Sequence, residues 1–349
     1  MVLDQLYATV ARERRRWYAR RPERRRRLDR PVVSVGNVAV GGSGKTPLVA
    51  HLARLLQAAG HRPAILTRGY ARARPSDGVT VVSDGERLLA DLDRAGDEPL
   101  MLARRLPGVP VLVSSDRYLS GRLAERRFDC SVHLLDDGFQ HFQLERDVDL
   151  VVVSGADLAR PATLPFGRLR EPLDVVREAS AVVLADVEPA EDEAAVSALG
   201  ALGVERIFRL ARESGSPQPI DEGDRFEPPA AGTRVLAVGG LARPERFFAD
   251  VGRHGWTVAG TLAFRDHHRY TRGDLVRIAA AMQSAGAAMV VTTEKDVVRM
   301  LPLRPLPVPV AWLPLSVSIE PTEAFTAWLA GRVANAALRL PPSAFVDHQ

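Results

Sequence analysis

The stretch AVGGSGKT at residues 39–46 decides the fold of this chain. It follows an apolar run at 32–35 that is typical of a buried strand, and it leads into a helical pattern at 47–59. Glycines in such a loop leave backbone amides free to surround phosphate oxygens, while a lysine reaches the outer phosphates and a hydroxyl ligates Mg²⁺. The pattern therefore predicts a phosphate-binding P-loop, with Ala39 where the strict motif has glycine.

The predicted nucleotide-binding residues are those that line the loop and open the helix: Gly41, Gly42, Ser43, Gly44, Lys45 and Thr46. Composition singles out Lys45, because only two of the 47 basic residues are lysine, namely Lys45 and Lys295. A chain that otherwise uses arginine keeps lysine where a compact ammonium on a thin stem is needed. We expect Lys45 to bind the β and γ phosphates of ATP. For Lys295, catalysis and an ion pair with Glu294 or Asp296 both fit.

The rest of the chain is organised as two α/β units. From residue 31 onwards short apolar runs alternate with helical stretches, which predicts parallel sheets covered by helices. Residues 30–210 are expected to form a P-loop NTPase-like parallel-sheet domain. Residues 211–232 are rich in Glu, Ser, Gly, Pro and Asp and are predicted to be a linker. The alternation resumes in 233–349, which predicts a second, smaller α/β domain that closes over a cleft.

Residues 1–29 carry a charge that sets them apart from both units. The first 30 residues have a net charge of +7, whereas the other 319 carry −3. Apolar residues at helical spacing in 2–18 predict an amphipathic basic helix. Three roles fit this helix: packing on the protein body, binding anionic headgroups at a membrane interface, and binding nucleic acid. The acidic remainder of the chain lacks aromatic residues interleaved with basic ones, which argues against nucleic acid.

Composition excludes several classes of protein. The chain is 46% hydrophobic and 26% charged, as in globular proteins, which rules out general disorder. The single cysteine, Cys130, cannot form an internal disulfide and fits a reducing compartment. No run approaches the ~20 apolar residues that span a bilayer. We therefore expect a cytoplasmic protein, or one that lies on a membrane from that side.

Two adjacent carboxylates, Asp136 and Asp137, follow the predicted strand 131–135. Ligands of open α/β sheets bind at the carboxyl ends of strands. Neighbouring carboxylates repel each other, so a cation such as Mg²⁺ explains the pair. A turn capped by Asp136 is the alternative.

Two further segments carry groups that can move a proton. Asp97 and Glu98 precede an apolar helix, and the loop 265–270 contains two of the eight histidines next to an acid. Histidine is the side chain best suited to accept a proton near neutral pH. Each segment also fits an ordinary structural role, as a helix start and as a plain loop.

The order of these motifs resembles the tetraacyldisaccharide 4'-kinase family, which phosphorylates the lipid A precursor. The resemblance spans about residues 31–300 and is carried by TRGY at 67–70, GDEP at 96–99, DDGFQH at 136–141, LREP at 169–172, DHH at 266–268 and TTEKD at 292–296. It implies transfer of the γ-phosphoryl group of ATP, with Mg²⁺, to the 4'-hydroxyl of a tetraacylated glucosamine disaccharide 1-phosphate in lipid A biosynthesis. It also implies a peripheral, monotopic protein on the anionic cytoplasmic face of the inner membrane, without a nucleic-acid partner.

The resemblance further implies roles for single residues. Asp97 would be the base near the acceptor hydroxyl, and His267 from the second domain would tune its charge. Lys45 would serve ATP, and Arg117 would steady the transferred charge. The implied metal and phosphate site consists of Thr46, Asp136, Asp137, Gln140, His141 and Glu171.

A second class of function also fits a P-loop with a basic arm: a membrane-associated ATPase switch that modifies no small molecule. Switch ATPases of the partitioning type often carry an extra lysine at the start of the loop. The present chain has Val40 there, which counts against this alternative.

Overall fold

A computed structural model describes residues 2–41, 44–70, 72–220 and 229–339. Within these ranges the strands form a nine-stranded sheet and a five-stranded sheet. The strands are β1 (Val32–Asn37), β2 (Pro63–Thr67), β3 (Thr80–Ser83), β4 (Val111–Val113), β5 (Val132–Asp136), β6 (Val148–Ser154), β7 (Ala181–Ala185), β8 (Ile207–Ser214), β9 (Gln218–Pro219), β10 (Arg234–Gly239), β11 (Thr257–Ala263), β12 (Met289–Thr293), β13 (Val310–Leu313) and β14 (Leu315–Glu320).

The helices lie between most of these strands. They are α1 (Val2–Ala19), α2 (Lys45–Ala58), α3 (Leu92–Ala95), α4 (Asp97–Arg105), α5 (Arg117–Phe128), α6 (Gly155–Ala159), α7 (Asp192–Ala201), α8 (Pro244–Arg253), α9 (Arg272–Ser284), α10 (Glu294–Met300) and α11 (Thr322–Arg339). We call the nine-stranded sheet with its helices the first lobe. The five-stranded sheet with α8 and α9 is the second lobe.

The large sheet has the order β14-β8-β7-β6-β1-β5-β2-β4-β3, and its seven inner strands run parallel. Strand β1 lies between β5 and β6, and all three are almost completely buried. Such continuous apolar strands are typical of a sheet covered by helices on both faces. The predicted α/β class with a P-loop NTPase-like sheet is confirmed, and the loop after β1 opens at the carboxyl edge next to β5.

The small sheet has the order β11-β10-β12-β13-β9, with four parallel strands and the short antiparallel β9 at one edge. Helices α8 and α9 bury Phe247, Val251, Leu275 and Ile278 against it. A second, smaller α/β layer is therefore present, as the sequence pattern predicts.

The C-terminal part of the chain differs from the predicted boundaries. Residues 233–349 were expected in the second domain, but β14 pairs antiparallel with β8 of the first lobe, and α11 buries Phe325, Leu329 and Val333 in its core. Strand β8 in turn extends to Ser214, into the predicted linker 211–232. Residues 221–228 of that linker and residues 340–349 lie outside the described ranges. The chain thus leaves the first lobe after β8 and returns to it after β13.

Helix α10 joins the two lobes. It follows β12 of the second lobe and packs against α4 of the first, where its Val298 belongs to the core of the large sheet. Arg105 of α4 donates to Glu294 at 3.1 Å and to the carbonyl of Leu315 at 2.6 Å. This helix was not predicted, because seven residues with mixed polarity give no clear helical period. It brings the segment at 292–296 to the start of α4.

The predicted N-terminal helix is present as α1, and its two sides differ. Arg15 on the inner side is only 7% exposed, while Leu3, Leu6 and Val10 on the outer side are 58–60% exposed. Among the helices of the described ranges, none is long and apolar enough to cross a bilayer. The helix therefore packs on the body through arginine and presents apolar residues outward.

Candidate active site

The P-loop connects the carboxyl end of β1 to the start of α2. Gly44 precedes the helix with φ 88°, a left-handed conformation that favours glycine. Lys45 and Thr46 form the first turn, where free backbone amides and the helix dipole attract anions. Gly41 has φ 102°, while the predicted loop residues Gly42 and Ser43 lie outside the described ranges. The described parts of the loop have the geometry expected of a phosphate site.

Lys45 is paired with a carboxylate at the end of β5. Its Nζ lies 3.4 Å from Oδ1 of Asp137, whose Oδ2 accepts a hydrogen bond from Arg170 Nη1 at 2.8 Å. Burial would raise the pKa of Asp137, but the charges of Lys45 and Arg170 outweigh it and hold that pKa below its usual range. Asp137 also has φ 54°, an uncommon conformation for a residue with a side chain. Lys45 and Asp137 thus form one electrostatic unit at the loop.

Asp136 is the buried neighbour of this pair. It is 3% exposed, and burial together with the charges of Glu98 and Asp137 raises its pKa to about 7. Thr67 Oγ1, at 3.5 Å, is a weak hydrogen-bond donor to it. A carboxylate with so little compensation is suited to a cation. Magnesium typically takes one or two carboxylates together with water and phosphate oxygens. Asp136 and the Thr46 hydroxyl fit such a site.

Glu171 is paired with an arginine of the N-terminal helix. Its oxygens accept hydrogen bonds from Arg15 Nε at 2.9 Å and Arg15 Nη2 at 2.8 Å, and one also accepts from Gln140 Nε2 at 3.1 Å. Gln140 Nε2 donates as well to the carbonyl of Asn37 at 2.8 Å. Within the described ranges, no three His, Cys, Asp or Glu side chains form a group that could hold a metal. Glu171 thus anchors α1 through Arg15, and Gln140 links Glu171 to the backbone at the end of β1.

We expect Arg15→Leu to destabilise the protein by about 3–5 kcal/mol, because it leaves Glu171 as an uncompensated buried charge. Arg12→Leu is the matched control: Arg12 lies one turn earlier and pairs with Asp174 at 3.2 Å, with both side chains at least one third exposed. Such an exposed pair contributes about 1 kcal/mol or less. Urea unfolding of the two variants measures the difference. Equal losses would show that the Arg15 pair contributes no more than a surface pair.

His141 and Arg117 lie beside the Asp137 carboxylate and are both buried. Burial and the charges of Arg117 and Arg146 lower the pKa of His141 to about 3, so its imidazole is neutral at physiological pH. Burial and the charge of Arg68 lower the pKa of Arg117 to about 10. Among the described residues, the buried His141 Nε2 atom has no hydrogen-bond partner. The Arg117 guanidinium supplies a positive charge here, and its Nη1 donates to the carbonyl of Ser115 at 3.2 Å.

These side chains line a cavity of about 840 Å³ between α1, the start of α5 and the segment after β5. Its wall is strongly basic: Arg14, Arg24, Arg26, Arg68, Arg117 and Arg170. Trp17 and Tyr18, at the end of α1, complete it on the side of the N-terminal helix. The cavity has the charge and size to hold an anionic group of an organic ligand next to Asp137.

Asp97 and His267 meet between the two lobes. His267 Nδ1 lies 2.9 Å from Oδ2 of Asp97, while Oδ1 accepts from the backbone amide of Glu98 at 2.9 Å. His267 has φ 56°, and the ring of Tyr70 packs edge-on against its imidazole at 5.2 Å. The two residues are 170 positions apart in sequence, and the structure brings them together as the resemblance implies.

Lys295 completes this cluster. Its Nζ lies 2.9 Å from Glu98 Oε1, 3.4 Å from Asp266 Oδ1 and 3.3 Å from His267 Nε2. The expected partners inside the second domain, Glu294 and Asp296, are not the ones observed. A lysine that donates to Nε2 leaves the proton of a neutral imidazole on Nδ1, which then donates to Asp97.

Several charged and hydrogen-bonding groups act on the buried carboxylate of Asp97. Burial would raise its pKa, but the hydrogen bond from His267 and the charges of Lys295 and Arg299 outweigh it, so that the pKa lies far below its usual range. Arg299 was missed in the sequence because it is one of 45 arginines and lies outside the recognised motifs. Arg15 was missed for the same reason, as one of the arginines of a charged helix.

Comparison with known proteins gives a consistent result. The model of the tetraacyldisaccharide-1-P 4'-kinase family matches residues 1–334. A tetraacyldisaccharide 4'-kinase of Geobacter metallireducens is 39% identical over 306 residues, which cover 86% of this chain and 88% of the relative. That of Syntrophus aciditrophicus is 38% identical over 324 residues, with 88% and 86% covered. The crystal structure of LpxK from Aquifex aeolicus in complex with ATP is 32% identical, with a TM-score of 0.74 and 95% and 97% of the two chains covered.

Proposed function

The chain belongs to the tetraacyldisaccharide-1-P 4'-kinase family, and we propose that it carries out the reaction with Lys45 at the nucleotide and Asp97 at the acceptor. It is an ATP- and Mg²⁺-dependent phosphotransferase that transfers the γ-phosphoryl group to the 4'-hydroxyl of a tetraacylated glucosamine disaccharide 1-phosphate in lipid A biosynthesis. Two pairs support the proposed residue roles: the P-loop lysine Lys45 with Asp137, and the buried Asp97 with the partly buried His267.

On the nucleotide side, Lys45 and the loop amides bind the β and γ phosphates. The phosphates compete with Asp137 for the Lys45 ammonium, and Arg170 keeps Asp137 in place when Lys45 turns to the nucleotide. When bound, Mg²⁺ neutralises charge on the β and γ phosphates, and Thr46 and Asp136 are the residues that would hold it. Asp137 adjoins this site. Arg117 provides a buried positive charge beside Asp136 and Asp137, where it stabilises the transferred group.

On the acceptor side, Asp97 accepts the proton of the attacking hydroxyl. Phosphoryl transfer needs alignment and charge neutralisation more than a strong base, because its transition state is loose. A carboxylate with a very low pKa is therefore sufficient if it is held in position. His267 and the amide of Glu98 fix the two oxygens of Asp97 for that purpose.

We assign the arginine-lined cavity to the phosphorylated head of the acceptor. Apart from Arg117, which is assigned to the transferred group, its wall contains the guanidinium groups of Arg14, Arg24, Arg26, Arg68 and Arg170. A guanidinium group can donate two parallel hydrogen bonds to the oxygens of one phosphate. This wall therefore matches the 1-phosphate that the acceptor already carries. The cavity is lined at one point by Asp137, which pairs with Lys45. An acceptor head bound in the cavity would therefore lie near the phosphates of ATP.

We further propose that the outer side of α1 binds the anionic inner membrane from its cytoplasmic face, and that nucleic acid is not a partner. Exposed Leu3, Leu6 and Val10 form an apolar stripe, and Trp17 continues it to the rim of the cavity. Apolar residues at an interface with arginines beside them are typical of helices that lie in the headgroup region. An acceptor anchored in the bilayer by its acyl chains would meet the cavity along this stripe.

The kinase reaction is tested by incubating the full chain with γ-labelled ATP, Mg²⁺ and the lipid disaccharide 1-phosphate. Label transferred to the lipid supports the proposal. Label released only as inorganic phosphate would instead support the ATPase switch. An acceptor without the 4'-hydroxyl is the control, and it should remain unlabelled.

The membrane role predicts that Leu6→Glu combined with Val10→Glu lowers the partition coefficient for anionic vesicles by at least about tenfold. Each buried aliphatic side chain contributes about 1.5 kcal/mol or more, and two are lost. Val276→Glu is the matched control, because Val276 is 67% exposed on α9 of the second lobe. Sedimentation with phosphatidylglycerol vesicles measures binding. If the double variant and the control sediment alike, α1 is only a packing element.

A further inference from the structure

One guanidinium of α10 holds Asp97 while it is itself fixed in the second lobe. Arg299 donates from Nε to Asp97 Oδ2 at 2.8 Å, and its Nη2 donates to the same oxygen. Its Nη1 donates to the carbonyl of Gly240 at 2.9 Å and to Asp296 Oδ1 at 3.1 Å. Arg299 is 3% exposed and Asp97 is 6% exposed. A single planar group thus spans the junction between the lobes.

The far side of this guanidinium is rigidly supported. Asp296 is fully buried and accepts hydrogen bonds from Tyr270 Oη at 3.0 Å, Thr293 Oγ1 at 2.7 Å and the amide of Gly240 at 3.1 Å. A Cβ at position 240 would lie 2.7 Å from Asp296 Oδ1 and 3.2 Å from Arg299 Nη1. Glycine is therefore needed there for the backbone to approach both groups. These contacts give the Arg299 side chain little freedom to move.

We propose that Arg299 is a positioning residue that keeps the carboxylate of Asp97 and the imidazole of His267 assembled at the junction of the lobes before substrate binds. The proposal rests on the proposed role of Asp97 as proton acceptor. Helix α10 packs on α4 and contributes Val298 to the core of the first lobe, so Arg299 and Asp97 belong to one packed unit.

Many charged groups surround Asp97, and Arg299 is the one that makes two hydrogen bonds to it. The titratable and charged side chains within 4 Å of its carboxylate are His267, Lys295 and Arg299. Behind these, Glu98 and Asp266 contact Lys295, Asp296 contacts Arg299 and Tyr270, Tyr70 packs on His267, and Arg72 lies beside Gly96. Removal of Arg299 takes away one positive charge, so the pKa of Asp97 should rise. It also leaves Oδ2 with His267 as its remaining close donor.

These two consequences act on the rate in opposite directions. A higher pKa makes Asp97 a stronger base, which helps little when the proton moves late in a loose transition state. A carboxylate that is displaced by about 1 Å costs about 10²-fold in rate. We therefore expect the loss of position to dominate.

The test compares Arg299→Gln and Arg299→Lys with Arg105→Gln in the full chain. Arg105 is a matched control, because it also joins α4 to α10, through Glu294, but does not contact Asp97. We expect Arg299→Gln to lower kcat about 10²-fold with the KM for ATP unchanged. Its activity should also fall at acid pH where the wild type is still active, because the raised pKa of Asp97 protonates the carboxylate earlier. Arg299→Lys should restore part of kcat and part of the activity at acid pH.

Two results would overturn the proposal. One is a wild-type kcat and pH profile in Arg299→Gln, and the other is an equal loss of kcat in Arg105→Gln, which would indicate a structural role of the joint. Thermal unfolding of all three variants identifies losses that come from folding alone. Asp97→Asn separates this inference from the function on which it rests. If Asp97→Asn is inactive while Arg299→Gln is normal, only the role of Arg299 fails.

Discussion

Asp97→Asn is expected to lower kcat by about 10³-fold while the KM for ATP stays within about twofold of the wild type. The variant keeps the size of the side chain and its hydrogen bond from the Glu98 amide, but it removes the oxygen charge that accepts the proton. ATP binding should be retained, because Asp97 of α4 contacts His267 and Arg299, and no contact between Asp97 and Lys45 is found among the described residues. Steady-state kinetics with varied ATP and varied lipid acceptor measures both effects.

Folding must be separated from chemistry in this experiment. Asp97 compensates the two cationic groups of Lys295 and Arg299, and removal of its charge leaves Arg299 with Asp296 as its remaining carboxylate within 3.5 Å. Some loss of stability is therefore expected, and thermal unfolding with and without ATP should accompany the kinetics.

Glu98→Gln is the matched control for Asp97→Asn. Glu98 is the next carboxylate in the chain and contacts Lys295 but neither His267 nor Arg299. Its replacement should leave kcat within a few fold of the wild type. Small and equal losses from Asp97→Asn and Glu98→Gln would remove Asp97 from the role of base.

The sequence predicted those parts of the site that depend on neighbours in the chain. The P-loop is a local pattern of strand, glycines and helix. The carboxylates after β5 could be placed at the same edge of the sheet, because they directly follow another apolar strand. The basic helix at the N-terminus could be predicted as well, since its period is visible within 18 residues. The class of fold followed from the alternation of these elements.

The parts that sequence reasoning missed depend on contacts between distant residues. The partners Arg15 and Glu171 are 156 residues apart, and Arg299 and Asp97 are 202 apart. In a chain with 45 arginines, no single arginine is conspicuous. The return of the chain to the first lobe through β14 could not be predicted either. Which sheet an edge strand joins depends on which strand the rest of the fold leaves without a neighbour. The sequence did contain one local sign of the Asp97 cluster. Lys295 is the second lysine of an arginine-rich chain, and it lies in the same short segment as Arg299.

Lys45→Ala is expected to weaken ATP binding about tenfold or more and to lower kcat by about 10³-fold, in contrast to the effect on kcat alone at Asp97. The Lys45 ammonium is the positive charge that the α2 end of the loop contributes, and it neutralises charge on both the bound and the transferred phosphates. Without it, Asp137 loses one cationic partner and keeps Arg170, so its negative charge beside the incoming phosphates is less compensated. Binding of a nonhydrolysable ATP analogue and single-turnover transfer measure the two losses separately.

Lys45→Arg provides the sharper form of this test. Arginine serves as the cation nearly everywhere else in this chain, so a site that accepts any positive charge should tolerate it. A planar guanidinium is wider than an ammonium and prefers to pair with carboxylates in a bidentate manner, so it would bind Asp137 more firmly and leave the phosphates. We therefore expect Lys45→Arg to be nearly as defective as Lys45→Ala. Lys295→Arg is the control, and it should bind the analogue like the wild type, because the polar partners of Lys295 among the described residues are Glu98, Asp266, His267 and Asp97. Substantial activity of Lys45→Arg would mean that the loop requires only charge, and that the lysine at this position is not selected for its shape.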